Sequence, residues 1–150
     1  MRRTLSVSVF GVLSALASLS CGGERAVERD FNDAARQWRE ERPARYEFLF
    51  DKTCFCPSVG IPAILVVEQN TITEALDPTT REPLKVVPGR YETIDGLFIV
   101  LRDALDNGEA EIELIRYDES FGFPTRLSID YIPSAMDDEV GYSATNFKAL

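Results

Sequence analysis

The sequence contains no histidine. That removes the side chain most often used as a general base and the commonest transition-metal ligand. A Ser-His-Asp or Cys-His catalytic centre is therefore excluded. Sulfur is scarce too, with three cysteines and two methionines in 150 residues. Basic charge is in short supply: 16 Lys and Arg stand against 25 Asp and Glu, for a formal charge of −9. A chain this acidic repels phosphate backbones, so nucleic acid is not an expected partner. Anionic lipid head groups repel it as well. The sequence has no glycine-rich phosphate loop and no nucleophile elbow, and no cofactor is implied.

What is present begins with a leader. "MRR" gives a positive start, and Thr4 to Ser20 then runs without a charge and ends in small residues. It is short of the ~20 mostly apolar residues of a spanning helix and holds five serines, which disfavours a retained anchor. Residues 1–20 therefore read as a secretory signal peptide. "ASLSC" followed by "GG" resembles a bacterial lipoprotein signal, with Cys21 as the acylated first residue. Ser18 and Leu19 stand where that pattern has Leu and a small residue, and Ser18-Leu19-Ser20 also fits an ordinary small-x-small cleavage site, which would leave Cys21 free. "CGGE" makes a sensible tether, so lipidation of Cys21 is the preferred reading, with residues 21–24 as a lipid-anchored linker. The expectation is an exported, membrane-anchored lipoprotein of the bacterial cell envelope. In a host with two membranes, Gly22 after the cysteine points to the outer one. Loss of Arg2 and Arg3 with the leader moves the formal charge from −9 to −11.

Residues 25–150 are a usual size for one domain. "ERAVERDFNDAARQWREERP" places Val27, Phe31, Ala34 and Trp38 on one helical face, and Pro43 stops it. Trp38 reads as a core anchor. "ARYEFLFD" alternates as a strand through Tyr46, Phe48 and Phe50. "PAILVVEQNTITEAL" reads as two strands turning at Gln69-Asn70. The proline-rich stretch from residue 77 is a loop, with a short edge strand expected at Leu84 to Val87. A second helix follows in "TIDGLFIVLRDALDNG". Thr93 is placed to cap it, Asp95 suits its positive end, Asn107-Gly108 supplies the stop, and Ile94, Leu97, Phe98, Leu101 and Leu105 form its stripe. "AEIELIRY", "TRLSIDYI" and "EVGYSATNF" read as three more strands. The expected fold is α+β, with two helices on one face of a mostly antiparallel sheet. It would be built from two helix-plus-three-strand units, residues 25–90 and 91–150. "DKTCFCP" at 51–57 and "DESFGFP" at 118–124 support the doubling and align Cys54 with Phe121 and Cys56 with Phe123. By that analogy the sulfurs point inward or at each other.

The Cys54/Cys56 pair is the sharpest chemical feature. Residues two apart in a strand share a face with Cα atoms ~6.6 Å apart, at the edge of the roughly 4.4–6.8 Å that a disulfide accepts. An oxidising compartment favours a bonded pair. Buried inert thiols, a thiol–disulfide catalyst and a soft-metal grip also stay open. Lys52 is the local cation that a catalytic thiol would need. Other chemistry is thinner. Asp137, Asp138 and Glu139 form a run able to hold Ca²⁺ through oxygen, but without EF-hand spacing a solvated turn is preferred. Asp103, Asp106, Glu109, Glu111 and Glu113 crowd the second helix's end and read as surface charge. No metal site and no catalytic carboxylate pair is assigned.

These motifs resemble an uncharacterised bacterial family, domain of unknown function 6174, whose members are often exported lipoproteins. The matching residues are Trp38, Tyr46, Cys54-Phe55-Cys56-Pro57, "TIDGLF" at 93–98, "YDESFGFP" at 117–124, "SID" at 128–130, "DDE" at 137–139 and Tyr142. Asn70 departs from the glycine expected at the hairpin turn. The resemblance implies location and fold without an activity, so it supplies no catalytic residues. The doubled unit also resembles the architecture of β-lactamase-inhibitor-like proteins, which bind proteins. The preferred function is a non-enzymatic envelope module that binds a protein or peptide. The alternative is a redox protein using Cys54 and Cys56.

Overall fold

The computed structural model of the chain describes residues 21–56, 61–136 and 138–150, and for Cys21, Gly22 and Glu24 it describes the backbone alone. The expected signal peptide, Pro57 and Asp137 lie outside the described residues. The elements are α1 Cys21–Glu41, β1 Arg45–Cys54, β2 Ala63–Glu68, β3 Thr71–Leu76, α2 Ile94–Asp106, β4 Glu111–Tyr117, β5 Pro124–Asp130 and β6 Glu139–Ala149. The six strands form one sheet in the order β3-β2-β1-β6-β5-β4, antiparallel throughout. The fold is α+β, as the patterning indicates.

Local chemistry sets most boundaries. Gln69 and Asn70 both take left-handed φ, +47° and +61°, as a two-residue hairpin requires. The Thr93 hydroxyl accepts the Gly96 N–H at 3.0 Å and opens α2. The helix stops differently from the expectation. Asn107 ends it in an extended conformation, and its side chain accepts the Glu109 N–H at 3.1 Å. Gly108 does not supply a left-handed cap. Two further expectations change. α1 runs back to Cys21, so the stretch read as a linker is helical. The edge strand at Leu84–Val87 shrinks to one bridge, Leu76 with Pro83, plus a 2.7 Å bond from Leu84 N–H to the Ala75 carbonyl. Proline cannot extend such a ladder.

Both helices cover one face. Tyr46, Phe48 and Phe50 point into it from β1, and all are buried. Trp38, 1% exposed, meets Tyr46, Phe123 and Phe147 edge-on at centroid distances of 5.5, 5.8 and 6.0 Å. Such pairs contribute about 0.5–1.5 kcal/mol each beyond their burial. The helices run antiparallel. Arg42, just past the end of α1, pairs with Asp95 of α2 at 2.6 Å, Phe31 meets Phe98, and Glu28 pairs with Arg102 at 3.0 Å.

The antiparallel register gives the domain two distinct ends. At the hairpin end lie the β2–β3 and β4–β5 turns, the end of α1 and the start of α2. At the loop end lie the β1–β2, β5–β6 and α2–β4 links and the start of α1.

Each half is a helix followed by a three-stranded meander. The halves are nevertheless not superposable copies. With both helices on one face, a rotated copy would set antiparallel β1 beside β4, and a translated copy would set β1 parallel to β6. The sheet sets β1 antiparallel to β6. The two similar heptapeptides do occupy equivalent links, between the first and second strands of each half, but at opposite ends of the domain.

The second heptapeptide folds as a tight turn. The Asp118 carboxylate accepts the Ser120 and Phe121 N–H groups at 3.0 and 2.8 Å, and Gln37 of α1 donates to the Glu119 and Ser120 carbonyls. Gly122 closes it with φ +76°, and a Cβ there would sit 2.7 Å from the Ala34 carbonyl oxygen. Gly122→Ala is therefore expected to lower stability by about 1–3 kcal/mol, through backbone strain and a lifted α1. Urea unfolding of the two proteins measures this, and equal midpoints would contradict it.

Candidate functional site

The first candidate is the cysteine pair. β1 continues to Cys54, which pairs with Val140 of β6, and the chain then bends at Phe55. The bend brings the Cys54 and Cys56 Cα atoms to 5.2 Å, and a disulfide joins the two residues. Both cysteines are half-buried, while Phe55 between them is exposed. Of the counterparts aligned with them, Phe123 is buried and Phe121 half-buried against the core, and of the two arrangements the repeat suggests the sulfurs take the one facing each other. Lys52 does not attend them: its ammonium lies over the Tyr142 ring, 5.5 Å from the centroid. The start of α2 is at the opposite end of the sheet. The start of α1 lies against β4, three strands away, or about 14 Å at normal strand spacing. The arrangement lacks the nearby positive end that lowers a thiol's pKa.

The acidic candidates are dispersed. Asp106 pairs with Arg102 at 3.5 Å, and Glu113 accepts the Ser128 hydroxyl at 2.7 Å. Asp137 is outside the described residues. Among the described residues, no group of three acidic, Cys or His side chains is gathered for a metal.

The outer sheet face is mostly polar, with Asp51, Thr53, Ser143, Thr145, Arg126 and Ser128 on it. Of its apolar residues, Leu49 and Ile64 lie beside Pro78 and Arg81 while Leu114 sits opposite Ser128, and Arg81 is held in place by Glu47 at 3.0 Å. Neighbouring interactions also cover the Ala75–Leu76 end of the β3 edge. Asp77 N–H reaches the Glu82 carbonyl at 2.9 Å, and Leu84 N–H reaches Ala75. The Asp77 carboxylate accepts the Thr79 and Thr80 N–H groups, both at 2.8 Å, and those bonds hold its pKa below the usual range.

The other edge is different. Among the described residues β4 has one strand neighbour, β5, so one row of its backbone N–H and C=O groups faces away from the sheet. Beside its start, between α1 and the α2–β4 corner, lies a groove of about 890 Å³. Val27, Leu105 and Ile112 give it an apolar floor, and Arg25, Arg29 and Asp33 form its rim. A second hollow continues it along β4 past Asp30, Ile115 and Tyr117. The sequence marked Val27, Leu105 and the β4 residues only as core or strand positions. Nothing local showed that α1 would leave a trough beside β4. That depends on Gln37 and Trp38 docking α1 at the other end.

Tyr117 shows the character of this trough. Its hydroxyl is shielded and has no hydrogen-bond partner among the described residues. Burial, and then the Asp30 carboxylate, push its pKa up to about 12. The fold therefore favours the neutral phenol. This contribution is fully present below the unfolded value of ~10 and is lost as pH rises through about 12. Tyr142, also pushed up to about 12, chiefly by burial, retains a similar dependence. Tyr117→Phe removes an unpaired hydroxyl, so it should leave stability at pH 7 unchanged or raise it by up to about 1 kcal/mol. It should also make the alkaline loss of stability shallower. Thermal melts at pH 7, 10 and 11.5 test both points, and destabilisation at pH 7 would mean that the hydroxyl has a partner.

Comparison with curated proteins and with solved structures finds no match. A family model matches residues 30–149, the whole sheet and both helices apart from the first turns of α1. The chain belongs to that family of unknown function, DUF6174.

Proposed function

We propose that this protein is an exported cell-envelope lipoprotein, attached through an acylated Cys21, that binds an extended segment of a partner protein without catalysing a reaction. The binding surface is the open β4 edge. The observation that carries this reading is the pairing of the open edge with an apolar trough, while on the opposite edge the 77–84 turn covers the Ala75–Leu76 end of β3. An added strand would take its main-chain hydrogen bonds from β4 and drop alternate side chains beneath α1. Residues two apart in such a strand are ~6.6 Å apart, so successive inward side chains would follow the trough from Ile112 toward Tyr117. The charges of Glu111, Glu113 and Arg116 guard this edge against indiscriminate pairing.

Export and acylation are supported by the charge-free leader before Cys21 and by the family resemblance of the mature chain. The bonded cysteine pair agrees with an oxidising compartment. The intact mass of the exported protein tests acylation directly.

Binding is tested by selecting from displayed random decapeptides. Selected sequences should alternate apolar and polar residues. Ile112→Arg, which fills the trough with charge, should weaken their binding about tenfold or more. Selection of peptides insensitive to Ile112→Arg, or of none, would contradict the proposal.

A further inference from the structure

Four large apolar side chains stand in solvent on two neighbouring links at the loop end. Phe55 is 82% exposed, Met136 91%, Ile61 57% and Ile132 48%. Phe55 and Ile61 belong to the β1–β2 link, and Ile132 and Met136 to the β5–β6 link. The links are adjacent because Val140 at the start of β6 pairs with Cys54 on one side and Ile129 on the other. The remaining exposed large apolar residues, Val86, Ile99 and Leu150, lie on separate elements. The disulfide closes a ring of three residues around Phe55 and leaves that side chain outside it. Nothing in the core accounts for four such groups at one end.

The start of α1 is at that same end, as the Glu28–Arg102 pair and the α2–β4 link show. Cys21 begins α1, directly after the uncharged stretch from Thr4 to Ser20. The point where an acyl chain would join therefore lies at the end that carries the apolar tips. We infer that the loop end rests on a lipid bilayer, with Phe55, Ile61, Ile132 and Met136 entering the boundary between head groups and acyl chains. Single side chains on separate tips suit a soft interface better than a preformed protein groove does. Asp130 and Glu139 stand at the two ends of the β5–β6 link that carries Ile132 and Met136. The lipid is therefore zwitterionic or uncharged, and attachment comes from apolar insertion rather than charge. The inference rests on the envelope reading for its setting, but the tips act without an acyl chain.

The described core lies entirely between Phe31 and Ala144, so residues 21–150 carry the fold. Residues 21–150 with Cys21→Ser are sedimented with phosphatidylcholine vesicles. Partition should be measurable and insensitive to salt. Phe55→Glu should reduce it about tenfold or more, and Phe55→Glu with Met136→Glu should reduce it further. Ile99→Glu, at a similarly exposed site on α2, should leave it unchanged. The near-UV signal of Trp38 confirms that each variant is folded. No partition by the unsubstituted chain, or partition indifferent to the tips, overturns the inference. So does lipid-free self-association abolished by the same substitutions, which would make this end an interface between copies. Intact mass reads acylation separately. Binding tips on an exported chain that carries no lipid would sustain this inference and remove the lipoprotein reading. Inert tips on an acylated chain would do the reverse.

Discussion

The rest of the structure depends on how Trp38 is held. Its ring fills the space between α1 and the sheet, against Tyr46, Phe123 and Phe147. Its Nε1–H donates to the Asp95 carboxylate at 3.3 Å, and the same carboxylate takes Arg42 at 2.6 Å. Asp95 lies in the first turn of α2, where negative charge is favoured. One carboxylate thus ties the end of α1 to the start of α2 above the strand that crosses the centre of the sheet. The Tyr46 phenol beside it is shifted upward by burial and by Asp95, so it stays neutral. Loss of the indole would open a large cavity, and substitutions of that kind cost about 3–5 kcal/mol. It would also release the helix that forms one wall of the trough.

From that anchor the division of labour follows. The hairpin end is rigid: it holds the Trp38–Asp95 contact, the Asp118 turn and the bond from the Thr93 hydroxyl to the Asn70 side chain at 2.7 Å. The loop end carries the disulfide, the apolar tips and the start of α1. One sheet edge is covered by a turn at its Ala75–Leu76 end, and the other is open beside the trough. The outer face is mostly polar and its main apolar spots lie beside a loop. The surfaces suited to a partner are consequently an edge and an end, not a face.

Much of the fold was legible because each element carries its own local signal. The alternation of Tyr46, Phe48 and Phe50, the Thr93 cap and the Gln69-Asn70 turn are short-range features, and each one held. The stop after α2 was placed correctly, although the asparagine side chain makes it rather than the glycine. The trough was not legible. It arises from the lateral placement of α1 relative to β4, set by contacts such as Gln37 with the 119–120 backbone, more than eighty residues away. The pairing of β1 with β6 was hidden for the same reason, since a repeat in sequence does not say which edges of two meanders meet. For the cysteines, spacing allowed the bond. The exposed Phe55 was not readable, because the matching Phe121 and Phe123 suggested an inward environment.

The central claim is that β4 receives another strand. Residue-resolved amide exchange probes this, on the protein in the cell-envelope fraction, where export and acylation would put it, and again after detergent extraction and purification. Amides within 111–117 should exchange more slowly in the envelope fraction, while those of β3 stay the same in both. Equal exchange in β4, or protection gained instead along β3 or the outer face, would contradict it.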